Sequence, residues 1–452
     1  MENVTPTLPV PRAPGGLPLL GHVLALLRDP LSFLVSLPAW GDLVEIRLGP
    51  FFSAVVVCDP ELTRQVLRED AVFDKGGPVF DRAREVAGDG IATCPHALHR
   101  RQRRLVQPAF RHDRFGGYTQ AMTSEIASVI GDWHDGELVN VTDEALKMTL
   151  RAGVKTMFSG TLTEEVLTQA MADLATVFRG MYRRAVLPAA LNRLPTPGNH
   201  RYELARGRIR HTVDAIIAER RANPGDRGDL LSALLSARDP DNSEDGLSDT
   251  EIGDQVITFF LGGPETTANA IAWALYLVAQ HPDVAERLRA EADSVLAGSL
   301  PGAEHLPKLE LAGRVISETL RLYPPVWMLS RVASEDTDLG AHHVRAGTSF
   351  IYSPYLLHHQ ASMFEAPERF DPDRWDGSGG PPPRGAFIPF GGGPRRCVGD
   401  QFGTTMATLS LAAIAARWNL EPQPGRRPRP APALTLRPPA LRMRIIARPA
   451  GS

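Results

Sequence analysis

The residue that most strongly indicates chemistry is Cys397. It closes the loop Phe390-Gly-Gly-Gly-Pro-Arg-Arg-Cys397-Val-Gly399. Three glycines and a proline make a tight loop with few side chains, against which a large flat ligand could lie. A thiolate just before a helix, with two arginines beside it, is favoured by the helix dipole and by the cations. The pattern therefore indicates a functional thiolate, and the alternative is a buried structural cysteine.

A second unusual stretch lies inside a long predicted helix. Ser248-Asp-Thr-Glu is a capping box, so a helix should begin there and continue to about Gln280. Near its middle the chain reads Gly262-Gly-Pro-Glu-Thr266, and two glycines and a proline are costly in a helix interior. The pattern predicts a local bulge that serves a ligand, and the alternative is an ordinary kink or helix break.

These two motifs resemble those of the cytochrome P450 family. The loop fills every defined position of the pattern Phe-Gly-x-Gly-x-(Arg or His)-x-Cys-x-Gly, and the helix stretch is similar to (Ala or Gly)-Gly-x-(Asp or Glu)-Thr. The resemblance implies that the cofactor is haem b, with Cys397 as the axial ligand of its iron and with Phe390 and Gly399 beside it. It also implies that Glu265 and Thr266 manage protons while dioxygen is activated.

The resemblance further implies which cations hold the two haem carboxylates, since buried carboxylates need cationic partners. The basic run from His99 to Arg104 is similar to the family helix that contacts them. The predicted contacts are His99, Arg103, Arg331 and Arg395. The alternative for a basic run is a solvated face or a site for a polyanion.

An ion network is implied as well. Glu318 and Arg321 lie three residues apart on one predicted helix face, and Arg374 follows in Phe-Asp-Pro-Asp-Arg-Trp. In the family this ordered set forms a buried network that braces the haem loop. The alternative is a surface ion pair, which contributes little to stability.

The family resemblance implies several regions of the chain that contact substrate. The side chains that we single out in these regions are aromatic or aliphatic. The predicted pocket residues are Phe80, Phe178, Phe260, Val326, Trp327 and Leu329. A dry apolar pocket suits a hydrocarbon-like ligand, and core packing is the alternative for each residue. Residues 98–111, 175–184 and 351–355 are also similar to actinobacterial sesquiterpene oxygenases.

The elements that must position these residues are mostly helical. Helical patterning occurs over residues 97–107, 119–133, 139–157, 163–185, 200–222, 249–280, 283–297, 308–322 and 400–417. Strands are predicted over 43–48 and 54–58. We expect a helix-rich α+β fold with small sheets, in which residues 1–452 form a single cytochrome P450 domain and residues 1–16 are flexible.

Composition excludes several classes of protein. The 452 residues, 43% of them hydrophobic, are enough for a sizeable core, and a net charge of −3 does not indicate a nucleic acid or an anionic membrane as partner. Three cysteines cannot make a disulfide framework. No signal peptide or membrane anchor is recognisable at the N-terminus, so we expect a soluble cytoplasmic protein.

The predicted function is a haem-thiolate monooxygenase that inserts one oxygen atom from dioxygen into an apolar small molecule, a terpenoid of secondary metabolism. No flavin or iron–sulfur segment is apparent, so electrons would come from a separate ferredoxin and ferredoxin reductase. Arg100, Arg104 and Arg396 are the predicted docking cations. The alternatives are another natural-product hydroxylase, a peroxide-driven enzyme and a non-catalytic haem protein.

Overall fold

Helices make up most of the chain, in a computed structural model that describes residues 8–50, 52–159, 163–186, 189–239, 241–425 and 428–448. The α-helices are α1 (Val23–Arg28), α2 (Pro30–Ser36), α3 (Pro60–Arg68), α4 (Pro78–Ala87), α5 (His96–Val106), α6 (His112–Gly131), α7 (Val141–Phe158), α8 (Glu164–Val186), α9 (Ala189–Asn192), α10 (Pro197–Ala222), α11 (Leu230–Ser236), α12 (Asp249–Gly262), α13 (Pro264–Gln280), α14 (Pro282–Leu296), α15 (Glu310–Leu322), α16 (Pro354–His358) and α17 (Asp400–Arg417). Short 3-10 helices span Leu37–Trp40, Gln107–Phe110, Ala303–Lys308, Pro372–Trp375 and Gly393–Arg395.

The strands are short and form small sheets. They are β1 (Leu43–Arg47), β2 (Ser53–Val57), β3 (Phe73–Asp74), β4 (Leu138–Asn140), β5 (Arg238–Asp239), β6 (Asn242–Gly246), β7 (Leu329–Ala333), β8 (Thr337–Leu339), β9 (His342–Val344), β10 (Ser349–Tyr352), β11 (Trp418–Pro422), β12 (Ala431–Pro432), β13 (Leu436–Arg437) and β14 (Arg442–Ala447). The largest sheet has the order β1-β2-β10-β7-β3, and a second has the order β11-β14-β4. In the largest sheet only β10 and β2 run parallel. These elements confirm the predicted helix-rich fold with small sheets.

The main hydrophobic core surrounds α13, which packs against α7, α15 and α17, and α6 packs on α7 and α17 in the same core. Trp273 on α13 is fully buried and stacks on the ring of Tyr323, with 4.0 Å between the ring centroids. A second apolar cluster joins α8, α10, α11 and α12. Since α13 lies in the main core and α12 in the second cluster, packing holds both helices in place on either side of their junction.

The N-terminal segment differs from the expectation of flexibility where it is described. Leu8 donates its N–H to Ala341 O at 3.0 Å, Ala13 donates to Glu45 O at 2.9 Å, and Glu45 donates to Pro11 O at 2.8 Å. Backbone pairing with β1 therefore holds residues 11–13, and Leu8 is held by Ala341, although the proline content of this segment suggested a loop. Residues 1–7 of the predicted flexible segment lie outside the described residues.

None of the helices in the described ranges is both long enough and apolar enough to cross a membrane.

Candidate active site

A cavity of about 370 Å³ lies between the α12–α13 junction and the loop that carries Cys397. Most of the predicted site residues line it: Phe80, His99, Arg103, Phe260, Thr266, Val326, Leu329, Arg331, Phe390, Arg395, Cys397 and Gly399. They come from α4, α5, α12, α13, the segment leading into β7, and the loop before α17. Distant parts of the chain therefore converge on one site.

Three predicted residues are not part of the cavity wall: Glu265, Phe178 and Trp327. Trp327 lies between the lining residues Val326 and Leu329 but turns into the core, where its Nε1–H donates to Ala433 O at 3.0 Å. Phe178 on α8 packs against the second apolar cluster. The prediction of Phe178 and Trp327 as pocket residues is corrected, because both side chains fill core positions.

Glycine conformation shapes the loop that carries Cys397. Gly391 and Gly393 have φ of 69° and 62°, in the left-handed region that disfavours other residues. A Cβ on Gly393 would lie 2.1 Å from the carbonyl oxygen of Leu67, so the loop packs directly on the end of α3. The N–H of Cys397 donates to Phe390 O at 3.0 Å and closes the loop three residues before α17.

The Cys397 side chain is open to the cavity but enclosed by protein elsewhere. Burial raises the pKa of its thiol, whereas the N–H of Gly399 and the charge of Arg103 lower it. The neighbouring arginines face other groups, since Arg396 pairs with Asp400 at 2.8 Å and Arg395 turns toward two aspartates. The cations that favour a thiolate here are therefore Arg103 on α5 and Lys75, and binding to a metal would displace the remaining proton.

A cationic cluster occupies one side of the cavity and consists of Lys75, His99, Arg103, Arg331 and Arg395. Arg395 is almost fully satisfied: Nε and one terminal nitrogen bond Asp70 and Asp74, each at 2.9 Å, and the other donates to Cys94 O at 2.8 Å. Arg331 is 2% exposed, and its Nε has no hydrogen-bond partner within the described residues. The cluster thus contains one buried N–H donor, Arg331 Nε, that has no acceptor within the described residues.

Sequence reasoning missed Lys75, because no motif singles it out. Its Nζ donates to Ala92 O at 2.7 Å, and burial, helped by Arg331 and Arg395, lowers its pKa to about 7. Burial also lowers the pKa of His99 to about 3, so its imidazole is neutral at neutral pH. Four cations face two aspartates when Lys75 is charged, which leaves an excess of two positive charges.

These residues fit haem. Two unbalanced positive charges and the free Nε of Arg331 suit a ligand with two carboxylates, and the rest of the wall is mainly apolar. Across the described part of the chain, no three His, Cys, Asp or Glu side chains cluster to hold a metal ion. A single cysteine at the cavity wall suits an iron atom whose other ligands come mainly from a cofactor, as they do in haem.

The α12–α13 junction lines the same cavity as Cys397, through Gly262, Gly263 and Pro264. The predicted capping box is present, with Glu251 N donating to Ser248 Oγ at 3.2 Å. The helix breaks at Gly263, because Pro264 has no N–H to give to Phe260 O. The predicted bulge is thus a break between two helices.

The side chains of Glu265 and Thr266 point in different directions from this junction. Thr266 lines the cavity, and its hydroxyl donates to Gly262 O at 2.7 Å. Glu265 is buried away from the cavity, where its Oε1 accepts from Arg437 Nε at 2.7 Å and from the hydroxyl of Thr435. Arg437 is 40% exposed, so Glu265 lies between the helix break and solvent.

The predicted ion network is present, and two of its three members, Glu318 and Arg321, are fully buried. Glu318 and Arg321 are 0% exposed and share two hydrogen bonds of 2.8 and 2.9 Å. Arg374 approaches Glu318 at 3.6 Å, and Trp375 Nε1–H donates to it at 2.9 Å. Arg321 also donates to the carbonyl oxygens of residues 358, 367 and 369, so one arginine holds the chain between α16 and Pro372–Trp375.

His358 connects this network to the loop that carries Cys397, and sequence reasoning missed it. Its Nδ1 lies 3.1 Å from Arg321 O, and its Nε2 accepts from Ile388 N at 3.0 Å. Because the ring accepts at Nε2, it must donate from Nδ1, and burial lowers its pKa well below the usual range, which keeps it neutral. No sequence signal indicated this role, because His358 and His359 form an adjacent pair that belongs to no recognised motif.

Two of the three predicted docking arginines have carboxylate partners. Arg104 pairs with Asp239 at 2.7 Å and with Asp241 at 2.9 Å, and Arg396 pairs with Asp400. Arg100 is exposed. The positive charge of this face is therefore partly neutralised.

Comparison with known proteins agrees with this site. The family model of cytochrome P450 matches residues 11–444. Cyclooctat-9-en-7-ol 5-monooxygenase of Streptomyces melanosporofaciens is 46% identical over 415 residues, covering 91% of this chain and 90% of the relative. Pentalenene oxygenase of Streptomyces avermitilis is 43% identical over 441 residues, covering 97% and 98%. The crystal structure of the cytochrome P450DA heme domain superposes with a TM-score of 0.88 at 26% identity, covering 98% of each chain.

Proposed function

This chain belongs to the cytochrome P450 family, and we propose that its monooxygenase activity acts on a cyclic terpenoid of secondary metabolism. The chain is a haem-dependent monooxygenase, as its family and its named relatives indicate. The terpenoid substrate is supported by two relatives that match more than 90% of the chain and whose names denote a cyclic alkenol and pentalenene. The apolar wall formed by Phe80, Phe260, Val326 and Leu329 suits such ligands.

One observation carries the proposal. Cys397 faces the same cavity as the broken α12–α13 junction, and the cationic cluster lies at its side. In this arrangement Cys397 Sγ would bind the iron of haem, while Arg331, His99, Arg103 and Lys75 would hold the haem carboxylates. Bound haem supplies the iron at which dioxygen is activated. Arg395 would act mainly by orienting the loop, since Asp70 and Asp74 already use its donors.

Thr266 and Glu265 would have different roles in proton supply, Thr266 at the cavity wall and Glu265 between the helix break and solvent. The Thr266 hydroxyl is at the cavity wall and can turn from Gly262 O toward a ligand. Glu265 reaches solvent through its ion pair with Arg437. For Glu265 to pass a proton toward the cavity, that ion pair must open, and Thr266 is the nearest hydroxyl along the helix that could accept it.

We further propose that residues 1–452 form one structural unit that receives its electrons from a separate ferredoxin and ferredoxin reductase. Exposed Arg100 and the partly paired Arg104 and Arg396 provide a weakly positive face for an acidic partner. If this face docks a ferredoxin, Arg100→Glu slows reduction, and added salt slows reduction of the unchanged protein. A rate of reduction that is independent of both would contradict this docking face.

The thiolate is tested by the spectrum of the reduced protein under carbon monoxide. The unchanged protein should show the strongly red-shifted Soret band, and Cys397→His should keep haem but lose that band. Cys58→Ala is the matched control, because Cys58 is buried in the N-terminal core, away from the cavity. Loss of the band in both variants, or in neither, would contradict the role of Cys397.

Turnover distinguishes the remaining functions. With a ferredoxin, its reductase and cyclic terpenoids, we expect product that carries one oxygen atom from labelled dioxygen. Product formed with peroxide alone, without an electron donor, would favour the peroxide-driven alternative. Haem binding without any turnover would favour a non-catalytic haem protein.

A further inference from the structure

The hydroxyl groups at the cavity wall differ in whether they already have hydrogen-bond partners. Thr149 Oγ1 donates to Pro264 O at 2.9 Å, Thr266 donates to Gly262 O, and Thr404 donates to Asp400 O at 2.9 Å. Thr258 also lines the cavity and is 6% exposed, but its Oγ1 has no partner within the described residues. A buried hydroxyl without a partner is unfavourable and needs an explanation.

The Thr258 hydroxyl packs against the loop between α4 and α5, which explains its position. This contact does not give the hydroxyl a hydrogen-bond partner. A Cβ on Gly90 would lie 2.0 Å from Thr258 Oγ1, so the glycine Cα and the hydroxyl are in direct contact. Ile91 N–H, which follows in the loop, donates to Gln255 Oε1 at 2.9 Å instead. Valine has the shape of threonine without the oxygen, so packing alone gives no reason for a hydroxyl here.

A ligand in the cavity can supply the missing partner. Threonine has more than one accessible rotamer in a helix, and one of the other staggered rotamers puts its oxygen where its methyl group now lies. Phe80, Ile91 and Phe260 are among the apolar residues that line the same cavity as Thr258. An oxygen atom of a ligand beside Thr258 would therefore gain a hydrogen bond from its hydroxyl.

We propose that Thr258 binds an oxygen substituent of the substrate, so that the substrate is a terpenoid that already carries a hydroxyl or keto group. This inference rests on the proposed terpenoid function and narrows it. An earlier reaction must then supply that oxygen, either a cyclisation that ends with capture of water or a previous oxygenation. Thr258 is thus assigned as a specificity-determining residue.

The test uses the haem-loaded protein and the change in its Soret absorption as ligand is added. The probes are matched cyclic sesquiterpenes and diterpenes that differ only by one hydroxyl group, including cedrane and cedrol. We expect at least one alcohol to bind with a Kd about three- to tenfold below that of its hydrocarbon, the range of one neutral hydrogen bond. Thr258→Val should abolish this preference, and Thr258→Ser should keep it.

Thr149→Val is the matched control, because the Thr149 hydroxyl is at the same cavity but already bonded to Pro264 O. It should leave the alcohol preference unchanged. Equal binding of every alcohol and its hydrocarbon, or a preference that survives in Thr258→Val, would overturn the inference while leaving the terpenoid function intact. Absence of binding by every probe would overturn both.

Discussion

Arg331 and Arg395 are both predicted haem contacts, yet the structure gives them different electrostatic surroundings. Arg395 has two carboxylate partners, whereas Arg331 Nη1 donates to Ser330 O at 3.0 Å, its guanidinium lies over the ring of Tyr352, and its Nε has no hydrogen-bond partner within the described residues. The family resemblance was enough to predict that both arginines lie at the site. It could not predict which of them is paired with carboxylates, because Asp70 and Asp74 come from another part of the chain.

Lys75 should make haem retention depend on pH. In the haem-free protein its pKa is lowered to about 7, and contact with a carboxylate would favour the charged form and raise that pKa. Haem binding would then take up a proton, so retention is strongest below pH 7 and weakens as the pH rises above it. The measurement is the rate of haem transfer to apomyoglobin at several pH values between 6 and 9.

Lys75→Met should flatten that pH dependence. Lys155→Met is the matched control, since Lys155 is not among the cavity-lining residues and pairs with Glu125 at 3.0 Å. A slope that is identical in the unchanged protein and in Lys75→Met would exclude Lys75 as the titrating group.

Thr266→Ala should raise the amount of hydrogen peroxide released per reductant consumed. The substitution removes the cavity-lining hydroxyl that directly follows Glu265 in the chain. General acid catalysis by a positioned group typically contributes about 100-fold or more, so coupling of reductant to product should fall sharply. Thr266→Ser keeps a hydroxyl and should retain most of the coupling, and equal coupling in all three proteins would refute the role.

At the scale of elements, α15 acts through the buried pair that it carries. Glu318 receives donors from Arg321, Trp375 and the backbone of Asp371, and His358 continues the connection to Ile388. Removing one partner leaves a buried charge without its counter-charge, which costs about 3–5 kcal/mol. The loop that carries Cys397 should lose its support at the same time.

Glu318→Ala should therefore give poorly folded protein with a low haem content, measured by the ratio of Soret to protein absorbance and by thermal unfolding. Arg314→Gln is the matched control on the same helix, because Arg314 pairs at 3.1 Å with Asp373, which is 45% exposed. A surface pair of this kind contributes only about 0–1 kcal/mol. A normal haem content in Glu318→Ala would contradict the bracing role.

The elements themselves were largely predictable where apolar periodicity is long. Helices α7, α8, α10 and α17 begin and end within a few residues of the predicted segments, and the break near Gly263 follows from its proline neighbour. Short elements such as β3 and β7 were not predicted. Strands of two to five residues are selected by pairing with distant partners, as in the pairing of β7 with β10, and local sequence carries little of that information.

At the scale of the whole molecule, the cofactor site joins parts of the chain that are far apart in sequence. Helix α5, strand β7, the α12–α13 junction and the loop before α17 each contribute to one cavity wall. A ligand that contacts all of them stabilises their mutual arrangement in proportion to its affinity for the folded chain. The motifs identified which residues meet there, but the turning of Trp327 into the core and of Glu265 toward Arg437 depends on tertiary packing.

The backbone pairing of residues 11–13 with β1 has a consequence for shortened forms of the protein. β1 is the outermost strand of the five-stranded sheet, and this pairing occupies Glu45 N–H and C=O. A truncation that starts at residue 15 would uncover these groups and offer a free sheet edge to another molecule. Such a form should self-associate as its concentration rises, whereas one that starts at residue 8 should stay monodisperse in light scattering.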